Sequence, residues 1–112
     1  MIGIRKLAPL CTSVALIAWT AAAEAPANDA GKARALFEGH ECAGCHQLDM
    51  KLVGPGLKQV AAKYRHDKEA PSRLLEKIKK GGVGVWGEIP MPPNAGITDD
   101  ELKLVIAWIL AL

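Results

Sequence analysis

The sequence predicts an all-α fold, and three observations support this prediction. Apolar residues recur at helical spacing in four segments, residues 28–38, 57–64, 71–80 and 98–112, as the buried face of a helix requires. Capping residues, proline or glycine stand at the ends of these segments. Neither an internal repeat nor a convincing pair of strands is found in the 112 residues. We therefore expect four or five helices joined by irregular connections.

The first two helices are defined by local signals. Asn28 or Asp29 caps the first helix, which runs to about Glu38 and is ended by Gly39. The second helix is short and spans residues 57–64, with apolar residues three and four positions apart. A glycine- and proline-containing turn separates the two.

The third and fourth helices carry equally clear boundaries. Pro71 suits the first turn of the third helix, and the glycines at residues 81–82 end it. A segment rich in proline and glycine follows, which excludes regular structure there. Thr98 then opens the last helix, and its spacing to Glu101 forms a capping box.

The last helix is unusually apolar towards its end, at residues 104–112. Nine residues are too few to cross a bilayer, which needs about 20. We therefore expect this helix to pack against the first one, with Ala33 allowing a close approach beside Phe37 and Trp108.

The N-terminal segment is predicted to be a signal peptide. Arg5 and Lys6 precede an apolar run that ends in small residues, with cleavage sites after position 23 or 25. This assigns residues 1–23 to the signal and residues 24–112 to one domain, exported to the periplasm. The alternative is an uncleaved membrane anchor. Cleavage would also remove Cys11, leaving two cysteines and no disulfide.

The charge balance excludes a general affinity for nucleic acid. The chain has 14 basic and 12 acidic residues, and loss of Arg5 and Lys6 with the signal makes the two numbers equal. Basic residues are nevertheless concentrated in residues 58–80. Such a run is either a set of solvated helix faces or a patch that steers an acidic redox partner.

The most informative motif is Cys-x-x-Cys-His, formed by Cys42, Cys45 and His46. Two cysteines three positions apart lie on one side of a helical turn, so both thiols reach the vinyl groups of one porphyrin. The next residue supplies an imidazole for the iron. The motif therefore predicts one covalently attached haem c. A dithiol redox site or half of a zinc site are the alternatives.

A second axial ligand decides what such a haem can do. The candidates are Met91, Met50, His40 and His66. Met91 is favoured because neighbouring prolines stiffen its loop, and because it lies far enough from His46 in sequence to pass around the ring. A core-filling methionine is the alternative.

Several motifs resemble the small bacterial class I cytochromes c of the c-551/c-552 type. They are the haem motif, Val-Gly-Pro at residues 53–55, Val-Ala-Ala-Lys-Tyr at residues 60–64, Gly-Val-Trp-Gly at residues 84–87 and Ile-Pro-Met-Pro-Pro-Asn at residues 89–94. The resemblance implies four or five helices wrapped around one haem c, with His46 and Met91 as iron ligands.

The same resemblance implies further contacts to the haem. Pro55 would accept a hydrogen bond from His46, Trp86 would donate one to a propionate, and Asn94 would lie near the Met91 sulfur. Lys77 stands where such proteins often place an arginine or histidine.

The expected function is one-electron transfer between respiratory complexes by a monomeric, non-enzymatic protein. A quinol-oxidising complex would be the donor, and a nitrite reductase or terminal oxidase the acceptor. Partners would dock around Val53, Gly54, Ile89 and Pro92. The alternatives are a haem enzyme or sensor with a displaceable ligand, or a fixed cytochrome subunit of a larger complex.

Overall fold

The computed structural model describes residues 27–112, which form four α-helices. The predicted signal peptide and Cys11 lie outside the described residues. The helices are α1 (Ala27–Gly39), α2 (Leu57–Tyr64), α3 (Ala70–Lys80) and α4 (Asp99–Leu110), with a short 3₁₀ helix at Cys42–Gly44. Over residues 27–112 the extended pairing is limited to isolated bridges between single residues. The predicted all-α class is confirmed.

The helix ends follow the predicted signals. At the start of α4, the Thr98 hydroxyl accepts a hydrogen bond from the Glu101 backbone at 3.3 Å. The Glu101 carboxylate in turn accepts one from the Thr98 backbone at 2.9 Å. Pro71 lies in the first turn of α3, and Gly81 follows its last residue with φ of 70°. A residue with positive φ cannot continue the helix, and glycine adopts this conformation at little cost.

Helix α4 forms the centre of the core. Helices α1, α2 and α3 all pack against it, and its inward residues are almost fully buried: Leu102, Val105, Ile106 and Ile109. The predicted contact between α1 and α4 is confirmed. Ala33 is completely buried, and the rings of Phe37 and Trp108 meet edge to face with centroids 5.7 Å apart.

Two long loops complete the domain and face each other across a cleft. The first connects the 3₁₀ helix to α2, and the second connects α3 to α4. Within residues 27–112, none of the helices has the length and apolar character needed to cross a membrane.

Candidate haem-binding site

The cleft is open to solvent at its mouth and is mostly apolar. About 1290 Å³ of empty space lies within it when the solvent at the mouth is counted. Core side chains supply its floor: Phe37, Leu57, Val60, Leu102, Val105 and Ile109. A broad, flat, apolar group fits these walls better than a charged substrate does.

The cysteine–histidine motif lies in the wall of this cleft. Cys42, Cys45 and His46 all line it. The 3₁₀ turn brings them together, because the backbone N–H groups of Cys45 and His46 both donate to the Cys42 carbonyl, at 3.1 and 3.0 Å. Burial raises the pKa of the Cys42 thiol, which favours its protonated form. The thiols and the imidazole therefore share one surface of the cleft.

The imidazole of His46 is oriented by the chain that follows it. Its Nδ1 lies 2.8 Å from the carbonyl oxygen of Pro55. A carbonyl only accepts, so Nδ1 must carry the proton and donate. In the neutral ring Nε2 then keeps its lone pair, which is the state needed to bind iron. The resemblance to c-type cytochromes implied this contact between His46 and Pro55, and the geometry has it.

Gly54 packs directly against the same imidazole. A Cβ added at this glycine would lie only 2.5 Å from Cε1 of His46 and 2.9 Å from Nδ1. The Gly54 backbone is fixed as well, since its N–H donates to the Cys45 carbonyl at 2.8 Å. The ring is thus confined between Gly54 and Pro55.

Met91 enters the same cleft from the second loop. Its backbone N–H and carbonyl are both hydrogen-bonded to Gly82, at 2.8 and 3.0 Å. A Cβ at Gly81 would collide with the Met91 carbonyl oxygen, so glycine is required where the loop crosses the end of α3. Met91 itself is half-buried. The Met91 backbone is therefore held by Gly82, just beyond the end of α3, and stiffened by the prolines on either side.

The other candidate iron ligands lie elsewhere on the described surface. Met50 is 61% exposed, His66 is exposed and His40 is half-buried. None of these three side chains lines the cleft within the described residues. Residues 27–112 also contain no group of three or more His, Cys, Asp or Glu side chains arranged to hold a metal ion.

The remaining predicted contact residues divide into two groups. Pro55 and Trp86 line the cleft. Within the described chain, Asn94 lies outside the set of cleft-lining residues. Its side-chain amide donates to the His40 carbonyl at 3.2 Å and accepts from the Gly96 backbone at 3.3 Å. The proximity of Asn94 to the Met91 sulfur stays a prediction.

Sequence reasoning missed three features of the site. It did not foresee that Gly54 confines the His46 ring or that Gly82 pairs with the Met91 backbone. It also treated Lys63 as one member of a basic run, whereas its ammonium lies over the ring of Trp86. The glycines adjoining known motifs were the available signal for the first two.

Comparison with known proteins assigns the chain to a family. The family model described as Cytochrome c matches residues 30–112. This chain belongs to the cytochrome c family. It is 45% identical to the cytochrome c-551 of Allochromatium vinosum over 96 residues, covering 86% of this chain and all of that protein. It is 48% identical to the cytochrome c-552 of Nitrosomonas europaea over 77 residues, covering 69% of this chain and 75% of that protein.

The fold agrees with the same family. The crystal structure of wild-type Nitrosomonas europaea cytochrome c552 superposes with a TM-score of 0.68 at 47% identity, covering 70% of this chain and 98% of that one. The predicted class I cytochrome c fold is confirmed. The chain is a small monohaem cytochrome c that carries electrons, and Cys42 and Cys45 attach its one haem c covalently.

Proposed function

We propose that this cytochrome c is a periplasmic shuttle whose haem iron is held between His46 and Met91. The observation that carries the proposal is the composition of the cleft. Of the four side chains considered for the second ligand position, Met91 alone is among the described cleft-lining residues together with His46. His46 and Met91 would both hold the iron, and a haem with two protein ligands would favour electron transfer over the binding of small molecules.

The haem supplies one-electron chemistry when it is bound. The chain's own contribution is to fix and desolvate the site. The Pro55 carbonyl holds the His46 ring in one tautomer, which strengthens the imidazole as a ligand. Gly82 anchors the backbone of Met91. The thioether, which is a weak ligand, is therefore already in position each time the iron changes its oxidation state. Apolar walls stabilise the more charged oxidised state less than water does, which raises the reduction potential.

Redox partners are proposed to dock at the mouth of the cleft, around Val53, Gly54, Ile89 and Pro92. Val53 is 43% exposed and Ile89 is 63% exposed, which gives this rim an apolar surface next to the haem position. A quinol-oxidising complex is the proposed donor, and a nitrite reductase or terminal oxidase is the proposed acceptor. The protein is proposed to act as a monomer without enzymatic activity.

Export is proposed to precede this function, with residues 1–23 as the signal and residues 24–112 as the mature domain. The start of α1 at Ala27 is compatible with cleavage after position 23 or 25. The intact mass of the protein purified from detergent-solubilised whole cells tests this directly. A mass that includes residues 1–23 would show an uncleaved anchor instead.

The ligand assignment is tested with two methionine variants of the purified holoprotein. Ferric haem with a methionine sulfur on iron shows a weak far-red charge-transfer band. We expect Met91→Ala to lose this band, to bind added imidazole rapidly and to have a lower potential. The control is Met50→Ala, which removes an exposed methionine of the neighbouring loop and should leave all three properties unchanged.

Two outcomes of this experiment would reject the assignment. The first is a wild-type protein that lacks the band at neutral pH, which would favour the enzyme or sensor alternative. The second is a band that persists in Met91→Ala and disappears in Met50→Ala. Co-purification of the wild type with a larger complex at high salt would instead indicate a fixed subunit.

A further inference from the structure

The ammonium group of Lys63 lies against an aromatic wall of the haem cleft. Its Nζ is 5.6 Å from the centre of the Trp86 ring and 5.7 Å from the centre of the Tyr64 ring. Both rings line the cleft, whereas Lys63 is exposed and lies outside the lining. The positive charge thus contacts the wall from its solvent side.

The loop that carries Trp86 has few other connections to the domain. The Gly84 N–H bonds to the Gly87 carbonyl within the loop, and the pairing of Gly82 with Met91 closes its base. Among the hydrogen bonds of residues 27–112, none joins residues 83–90 to α2. Three apolar side chains of the loop are more than half exposed: Val83, Val85 and Ile89. Trp86 is the half-buried residue of this loop. The position of the loop therefore depends on the contacts that hold the Trp86 indole.

Lys63 is also available for this contact. The ion pairs of the described residues engage other members of the basic run, and Lys63 is absent from them. Aromatic faces attract a cation within about 6 Å of the ring centre, and a desolvated pair gains more than an exposed one. Trp86 is the stronger of the two partners, because the indole is the best cation acceptor among the aromatic rings.

We propose that Lys63 is a positioning residue for Trp86. Its ammonium holds the indole beside Tyr64, connects the end of α2 to the loop at residues 83–90 and places a fixed positive charge beside the cleft. This proposal rests on the proposed function and on the contact between Trp86 and the haem that the resemblance to c-type cytochromes implies. Because the oxidised haem carries one more positive charge than the reduced haem, the same ammonium favours the reduced state and raises the potential.

The experiment uses the full holoprotein with the substitutions Lys63→Met and Lys63→Arg. Methionine keeps the apolar stem and removes the charge, whereas arginine keeps the charge and stacks on aromatic faces. The matched control is Lys68→Met, which removes an exposed charge from the same basic run. The readouts are hydrogen exchange of the Trp86 indole N–H in the reduced, diamagnetic protein and the reduction potential at low and high salt.

We expect Lys63→Met to exchange the Trp86 indole proton about two- to fivefold faster, as loss of one exposed cation–π contact implies. Lys63→Arg should restore the wild-type rate, and Lys68→Met should not alter it. The indole of Trp108, packed against Phe37, is an internal reference that should exchange equally in all variants. The potential should fall in Lys63→Met by more than in Lys68→Met at low salt, and the difference should shrink at high salt.

An unchanged Trp86 exchange rate in Lys63→Met overturns the proposal, and so does equal acceleration at Trp86 and Trp108, which would indicate general loosening. Equal shifts of potential in Lys63→Met and Lys68→Met would show that Lys63 acts only as an exposed, solvated charge, which also contradicts the proposal. These outcomes are separate from the test of iron ligation. The far-red band reports on Met91, whereas the indole exchange reports on Lys63 whether or not Met91 binds the iron.

Discussion

Replacement of Gly54 by alanine is the most direct test of how His46, the proposed histidine ligand, is held. The added Cβ would lie 2.5 Å from Cε1 and 3.0 Å from Nε2 of His46, whereas non-bonded carbon atoms prefer about 3.5–4.0 Å. One of the two groups must therefore move by about 1 Å. The Gly54 backbone is held by hydrogen bonds to Cys45 at 2.8 Å and from Leu52 at 3.0 Å, so the ring should move. That displacement breaks the 2.8 Å hydrogen bond between His46 and Pro55.

The cost of this substitution follows from two physical effects. Overpacking a filled site destabilises a protein by about 1–3 kcal/mol, and loss of a hydrogen bond adds about 1 kcal/mol. Together they amount to about 2–4 kcal/mol. For a domain of fewer than 100 residues this corresponds to a melting temperature lower by about 10 °C or more. Rotation of His46 should also weaken its proposed bond to iron and raise the reduction potential of Gly54→Ala, because a poorer electron donor stabilises the ferric iron less.

Thermal unfolding of the ferric holoprotein, together with its visible spectrum and redox titration, measures both effects. The control is Gly31→Ala in α1, where an added Cβ meets nothing within 4 Å. Alanine in place of an exposed helical glycine should be neutral or stabilising by about 0.5–1 kcal/mol. If Gly54→Ala melts with the wild type and keeps its potential, the ring is not confined as the contact distances imply.

Two further predictions concern the loop and the capping box. Asn94→Ala removes the hydrogen bond to the His40 carbonyl at 3.2 Å, so imidazole should displace the proposed ligand Met91 from ferric iron about two- to tenfold faster in stopped-flow mixing. An unchanged rate would show that this bond does not hold the loop. The hydrogen bond from the Thr98 backbone holds the pKa of Glu101 below its usual range. The stability that this hydrogen bond contributes is therefore complete above the usual glutamate pKa, and it is lost as the pH falls through the lowered pKa of Glu101. Glu101→Gln should therefore lose less stability than the wild type on acidification, and parallel melting curves against pH would contradict this.

The helices were predictable because their signals are local. The predicted second helix, residues 57–64, coincides with α2, and Thr98 caps α4 through Glu101 as the sequence indicated. A cap needs only residues within one turn of each other, so the sequence contains all the information. The packing of Ala33 against α4 was also predictable, because a small residue on an apolar face marks a close helix contact.

The contacts that hold the site were not predictable in the same way. The Asn94 side chain bonds to a carbonyl 54 positions earlier in the chain, and Gly82 pairs with Met91 through a crossing of two irregular segments. Neither contact has a period or a cap that marks it. Sequence reasoning therefore located the groups proposed to bind iron, through the haem motif and the proline-flanked Met91. The path of the backbone was needed to explain what orients them.

The distribution of charge in the structure changes the expected role of the basic run at residues 58–80. Four of its cations are paired with carboxylates: Lys58 with Asp49 at 2.5 Å, Lys79 with Asp99 at 2.7 Å, Lys80 with Glu76 at 2.6 Å, and Arg73 with Asp67. The electric fields of paired charges cancel at distances beyond the Debye length, which is about 10 Å at 0.1 M salt. Lys63 contacts aromatic rings, and Lys77 lines the cleft.

Lys63, Arg65 and Lys68 are then the exposed members of the run without an ion pair among the described residues. Three such cations give a weaker steering field than the eight basic residues counted in the sequence would. Association driven by charge falls steeply with salt, whereas contact between apolar surfaces does not. Because the rim of the cleft exposes Val53 and Ile89, we expect partner binding to depend mainly on this apolar rim and only modestly on ionic strength.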